Sequence, residues 1–213
     1  MRAMTVDDFI FDGVPDGPTV VLAHGAGAAM DSPWMNNFAA GLAEHRLRVA
    51  RFEFPYMRRR RETGKRGGPD RASTLLEAWR EAVGALGSGS ELVIGGKSMG
   101  GRIASMVADE VAARGLLCLG YPFHPPGRPD KLRTAHLTDL RTPTLVLQGV
   151  RDAFGTPAEV ERYGLSAAIS VHWLADGDHS FKPRVRSGRT LAGNLQEALD
   201  AAAAFVGALP TSG

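Results

Sequence analysis

The stretch ELVIGGKSMGGR, residues 91–102, decides the reading of this chain. An apolar run ends in two glycines, a serine stands between Lys97 and Met99, and two more glycines open the next segment. Gly96-Lys97-Ser98-Met99-Gly100 fits the pattern G-x-S-x-G, in which a strand turns sharply into a helix and leaves a serine hydroxyl at the apex. The glycines permit close approach of strand and helix, where a β-carbon would crowd the turn. Glycine-flanked serines also close ordinary turns, so the pattern depends on its context. Here the context is present: an apolar strand precedes it, and Ile103, Met106, Val107 and Val111 follow at helical steps.

Outward from that turn, short β-rich runs alternate with helical stretches. TVVLAH (19–24), LRVARFEF (47–54), ELVIGG (91–96), LLCLGY (116–121), PTLVLQG (143–149) and ISVHWL (169–174) read as strands, with VDDFIF (6–11) as an additional edge strand. Several are continuously apolar, as parallel strands covered on both faces are. Ala72, Leu75, Leu76, Trp79, Val83 and Leu86 form one helical stripe, and Leu191, Leu195, Leu199, Ala202 and Val206 form another. This order predicts an α/β fold, a mostly parallel doubly wound sheet with helices on both faces. Ligands of such sheets collect beyond the carboxyl ends of the strands.

The 213 residues are expected to form a single domain, 1–213, large enough to bury a core without cross-links. No apolar run nears the roughly 20 residues that span a membrane, and the opening MRAMTVDDFIF lacks the pattern of a signal peptide. The one cysteine, Cys118, lies in an apolar run and reads as packing; it fits a cytoplasmic protein. Neither a metal nor a cofactor is expected, because no His, Cys and carboxylate spacing suggests ligation. Lys97-Ser98 is not a phosphate loop, since the first glycine required would fall at Glu91.

A serine hydroxyl needs a base to take its proton. Of the six histidines, His45 ends a helical stretch, His136 lies in a polar connection and His172 lies inside a strand. His24 reads as a brace for the loop after its strand. His179, in ADGDHSFKP just after the last strand, can reach back over the sheet edge. Asp152, in QGVRDAFGTP, has the matching place after its own strand and can orient the imidazole. The order Ser98, Asp152, His179 is that of the α/β-hydrolases. Backbone N–H groups for a developing oxyanion are expected from Met99, after the serine, and from Ala26 in the loop HGAGAAMDSPW.

HGAGAAMDSPWM, FPYMRRRR…GKR, GGKSMGGR, YPFHPPGRPDKLR, LQGVRDAFGTP and DGDHSFK together resemble a small bacterial alpha/beta-hydrolase family. The family is dienelactone-hydrolase-like and related to the hydrolase-like domain of a nonspecific-lethal histone-acetyltransferase complex subunit. The matching segments run from about residue 20 to 183. The resemblance implies the alpha/beta-hydrolase fold, a catalytic triad of Ser98, Asp152 and His179, and no particular substrate. Only 21 residues, Pro122 to Thr142, separate the strand after the elbow helix from the acid strand, so no large lid domain fits.

The expected function is a serine hydrolase acting on an ester or thioester of a small acyl substrate. The alternative is a non-catalytic hydrolase-fold binding or scaffold protein, against which the intact Ser–Asp–His order weighs. Tyr121 and His124, at a strand's carboxyl end, either shape the pocket or belong to a connection stiffened by prolines. Arg58 to Arg71 carries seven Lys/Arg against two carboxylates, a local +5 in a chain of net +2. Arg58 and Arg59 there either cap the site for an anionic acyl substrate or are simply solvated. No nucleic-acid partner is expected, because the run lacks interleaved aromatics or a binding module. No membrane partner is expected either, and the sequence does not speak to the oligomeric state.

Overall fold

The computed structural model describes residues 4–65 and 67–210. Its strands are β1 (Ile10–Gly13), β2 (Thr19–Ala23), β3 (Arg48–Phe52), β4 (Leu92–Lys97), β5 (Gly115–Leu119), β6 (Thr144–Gly149) and β7 (Ile169–Leu174). They form one sheet in the order β1-β3-β2-β4-β5-β6-β7. The edge strand β1 pairs antiparallel to β3, and every other pairing is parallel. Strand β4, which leads into Ser98, is therefore central, flanked by β2 and β5.

The helices are α1 (Pro33–Glu44), α2 (Pro55–Thr63), α3 (Ala72–Leu86), α4 (Met99–Ser105), α5 (Pro157–Val160) and α6 (Leu191–Ala208). Alternation along the strands sorts the core into two layers. Val20 and Leu22 of β2 pack with Met35, Phe38 and Leu42 of α1 and with Leu199, Ala202 and Val206 of α6. Val21 and Ala23 face the other way, toward Leu75, Trp79 and Val83 of α3 and Ile103 of α4. Both faces of the central strands are thus covered, which explains their continuous apolar runs. Cys118 is buried in β5 at the foot of α4, as a packing residue.

Two elements differ from the sequence pattern. The stripe Ile103, Met106, Val107, Val111 predicts a helix reaching about residue 111, but α4 ends at Ser105 and Met106 is exposed. The Ser105 hydroxyl turns back onto the Arg102 carbonyl at 2.7 Å, a local bond that competes with helix continuation. The arginine run is helical rather than a loop. Pro55 opens α2, and Gly64, at φ 69°, closes it. Only Tyr56 and Met57 of this helix are buried, so no apolar stripe announces it.

Candidate active site

Strand β4 delivers Ser98 into a backbone conformation that side chains other than glycine rarely adopt, φ 52° and ψ −114°. Such a conformation costs about 1–3 kcal/mol and persists only where its surroundings hold it. Here the Ser98 N–H donates to Leu119 O of β5 at 2.9 Å, and α4 starts one residue later. Gly96 completes the turn at φ 150°, where an added β-carbon would lie 2.1 Å from Ala23 O of β2. The hydroxyl is thereby presented at the carboxyl edge of the sheet.

His179 reaches this hydroxyl from the loop after β7. Its Nε2 lies 2.9 Å from Ser98 Oγ, and its Nδ1 lies 2.7 Å from Asp152 Oδ2. A carboxylate at Nδ1 keeps the proton there and leaves the Nε2 lone pair facing the serine O–H. The loop has little freedom. Asp178 Oδ1 accepts the N–H groups of Ser180 and Lys182, Phe181 is fully buried, and Trp34 Nε1 donates to Ser180 O. Phe154 packs on the imidazole at a centroid distance of 4.3 Å.

Lys97, the unnamed x of the serine motif, adds a further tether. Its Nζ donates to His179 O at 2.7 Å and lies 5.4 Å from the centre of the Trp34 ring. Burial pushes the ammonium down to about 8, with Asp152 and Asp178 pulling the other way.

Asp152 is fully buried. Its Oδ2 accepts from His179 and from Gln148 Nε2 at 2.9 Å, while Oδ1 accepts the Phe154 N–H at 2.9 Å. Gln148 is buried as well, and its Oε1 takes the Tyr121 N–H at 2.7 Å. Sequence reasoning passed over Gln148. The signal was a lone amide near the end of the otherwise apolar strand TLVLQG, since a buried polar side chain must find partners.

The loop after β2 brings Ala26 beside Ser98. His24 Nδ1 bonds Gly25 O at 2.7 Å and its Nε2 accepts the Phe54 N–H at 3.1 Å, so both ring nitrogens are used in bracing. Burial lowers the His24 pKa, which keeps the ring neutral for that acceptor role. The Tyr56 hydroxyl donates to Gly25 O and Ala26 O. On the other side, the Met99 N–H is the first of α4 and has no acceptor within the helix.

Two clefts meet at Ser98 and share Ala26 and Phe154. One, of about 360 Å³, runs along Ala28, Trp34, Met35, Lys97 and His179. The other, of about 310 Å³, runs along Pro69, Met99, Arg102, Pro122 and Arg133. Tyr121, His124, Arg58 and Arg59 line neither, in keeping with the second of the two readings that the sequence leaves open for each.

Tyr121 is buried beneath the site, its hydroxyl donating to Arg133 O. His124 is buried behind the acid loop, with Nδ1 on Pro125 O and its N–H on Phe154 O. Arg58 pairs with Asp8, Arg59 with Asp70, and Arg61 with Glu53 and Asp31. The run is helical and turned toward carboxylates from other segments, and Arg58 and Arg59 line a separate hollow beside Met4 and Glu81.

A second serine–histidine pair exists: Ser105 Oγ lies 2.8 Å from His136 Nε2. It differs in kind. Ser105 is buried inside α4 and bonded to the Arg102 carbonyl, and among the described residues His136 meets no carboxylate. Burial and the Arg102 charge lower the His136 pKa.

No group of three or more His, Cys, Asp or Glu among the described residues could hold a metal ion. None of the described helices is long and apolar enough to cross a membrane.

Several solved structures share this architecture. A serine hydrolase from Xanthomonas campestris, described as lacking a lid, is 20% identical, with 100% of this chain and 96% of that one covered at a TM-score of 0.65. A serine hydrolase homologue from Coxiella burnetii is 18% identical, with coverage of 95% and 91% and a TM-score of 0.69. A monoacylglycerol lipase from Paleococcus ferrophilus is 14% identical, with coverage of 90% and 98% and a TM-score of 0.64. At these identities the likeness is one of fold. The family model described as an alpha/beta hydrolase domain matches residues 16–207, nearly the whole chain. With that match and the sheet order above, the chain belongs to the alpha/beta hydrolase family.

Proposed function

We propose that this chain is a serine hydrolase that cleaves an ester or thioester of a small acyl substrate. The observation that carries the reading is the continuous bond path from Ser98 Oγ through His179 to the buried Asp152. Ser98 Oγ attacks the acyl carbonyl while His179 Nε2 takes its proton. Asp152 orients the imidazole and stabilises its charged form. The Met99 and Ala26 N–H groups receive the oxyanion. His179 then returns the proton to the departing alcohol or thiol, leaving an acyl ester on Ser98. A water deprotonated by His179 attacks that ester and frees the acid.

Clefts of this size suit small substrates, and the apolar Trp34–Met35 wall suits a hydrocarbon group. The similar structures include an esterase domain and a monoacylglycerol lipase, which favours esters over amides by analogy of fold. The single buried cysteine fits a cytoplasmic setting. The Ser105–His136 pair is not the reacting pair in this reading, because Ser105 is buried inside α4 and His136 meets no carboxylate among the described residues.

Purified protein is expected to release thiol or nitrophenol from acetyl and butyryl thioesters and p-nitrophenyl esters. Turnover should be at least 100-fold faster than release from p-nitroacetanilide. Well-folded protein that turns over none of the esters or thioesters above the blank would sink the hydrolase reading in favour of a binding module.

A further inference from the structure

The cleft on the Met99 side contains two arginines, Arg102 and Arg133, without a carboxylate partner among the described residues. Arg102 Nε is buried without a hydrogen-bond partner. Among the described residues no side-chain hydrogen bond or ion pair is formed by either Arg102 or Arg133, whereas Arg51, Arg61, Arg151 and Arg184, elsewhere in the fold, are paired with carboxylates. Burial and the neighbouring Arg102 charge lower the Arg133 pKa, so the two guanidinium groups repel across a partly dry space. Neither is loosely hung. Arg102 sits in α4 one turn after Ser98, and the Arg133 main chain is fixed by Phe123 O at one end and the Tyr121 hydroxyl at the other. His136, bonded to Ser105, is never negative in either protonation state and so supplies no counter-charge.

We infer that Arg102 and Arg133 form a subsite for a carboxylate carried on the acyl part of the substrate, making half-esters or half-thioesters of short dicarboxylic acids the preferred class. A guanidinium fork matches a carboxylate in shape and charge, and an anion between the two would supply the partner that both lack. The assignment to the acyl part follows from the proton path. His179 must hand its proton to the leaving group, and His179 lines the other cleft, with Trp34 and Lys97. The leaving group therefore lies on that side, and the acyl chain extends past Met99 toward the arginines. The Arg102 N–H donates to Ser98 O at 3.0 Å and both residues line this one cleft, so the anion sits a short chain length from the carbonyl that Ser98 attacks.

The inference deepens the hydrolase reading and rests on it, so its test needs one arm that does not require turnover. The first arm compares glutaryl and adipoyl thioesters of N-acetylcysteamine with the valeryl and hexanoyl thioesters, which share the leaving group. Wild type is expected to favour the anionic acyl chains at least tenfold in kcat/KM. Arg102→Gln and Arg133→Gln are each expected to cut that ratio at least tenfold. The ratio cancels any general effect of either change on turnover. The second arm measures glutarate binding by calorimetry, with circular dichroism as the check on folding. Wild type should bind glutarate more weakly as salt rises, and either substitution should remove the binding.

A wild-type ratio near one, or a ratio that both variants preserve, overturns the subsite. Absence of all turnover with glutarate binding that both substitutions abolish would defeat the hydrolase reading and leave the anion site standing. Absence of turnover and of binding would overturn both.

Discussion

Replacing His179 by alanine is expected to lower kcat on the best ester by about 10⁶-fold, close to the loss from removing the whole triad. The imidazole is hydrogen-bonded to both Ser98 and Asp152, so without it the serine hydroxyl loses its proton acceptor. Asp152→Asn should cost about 10⁴-fold, through the tautomer rather than through lost contact. Both carboxylate oxygens accept N–H groups: Oδ2 from His179 and Gln148, and Oδ1 from Phe154. An asparagine in either orientation sets its own N–H₂ against one of those donors. At the Oδ1 place the amide opposes the Phe154 N–H, and at the Oδ2 place it opposes Gln148 and meets His179 only in the other tautomer, which turns a donor toward Ser98. Kinetics of the purified variants, with melting temperature as the folding check, decide this. An Asp152→Asn protein that keeps a tenth of wild-type kcat would contradict the role assigned to Asp152.

The second large effect concerns the turn itself. Gly100→Ala is expected to destabilise the fold by about 4 kcal/mol or more, at the severe end of single substitutions. A β-carbon at 100 would lie 2.3 Å from Ala23 O and 2.8 Å from His24 O. Both are backbone atoms of β2 and its following loop, so no side-chain rotation relieves the contact. On its far side, Gly100 O accepts from the buried Trp79 Nε1, which blocks an outward shift of α4. Any molecules that still fold must spread Met99 from Ala26 and lose the oxyanion geometry. Gly68→Ala, at a position where a β-carbon meets nothing within 4 Å, should change stability by less than about 0.5 kcal/mol. Urea unfolding of the two variants provides the comparison. A Gly100→Ala protein with near-normal stability and activity would mean that α4 does not press on β2 as described.

The parts of this fold that a sequence shows are those whose chemistry is local. Each central strand is buried on both faces, so TVVLA and TLVLQ appear as unbroken apolar runs, and α3 appears as the stripe from Leu75 to Leu86. The three site residues share a local mark, each lying just past the end of a strand. Helix α2 bears no such mark. Three of its four successive arginines, Arg58, Arg59 and Arg61, pair with Asp8, Asp31, Glu53 and Asp70, scattered over some sixty residues of chain, and only the folded state reveals those pairings. The arginine run therefore drew attention as a cationic cap, while the unpaired Arg102 and Arg133 looked like any other arginines. Unmet hydrogen-bonding capacity is a property of a neighbourhood in space, and sequence spacing does not carry it. Lys97 and Tyr56 were hidden for the same reason, since each acts on the site through a backbone carbonyl distant in the chain.

The central claim is that Ser98 is an activated nucleophile. Fluorophosphonate labelling read by intact mass tests it most directly, with wild type beside Ser98→Ala. One adduct on wild type and none on Ser98→Ala is the predicted result. Equal labelling of both, or none on well-folded wild type, would contradict it.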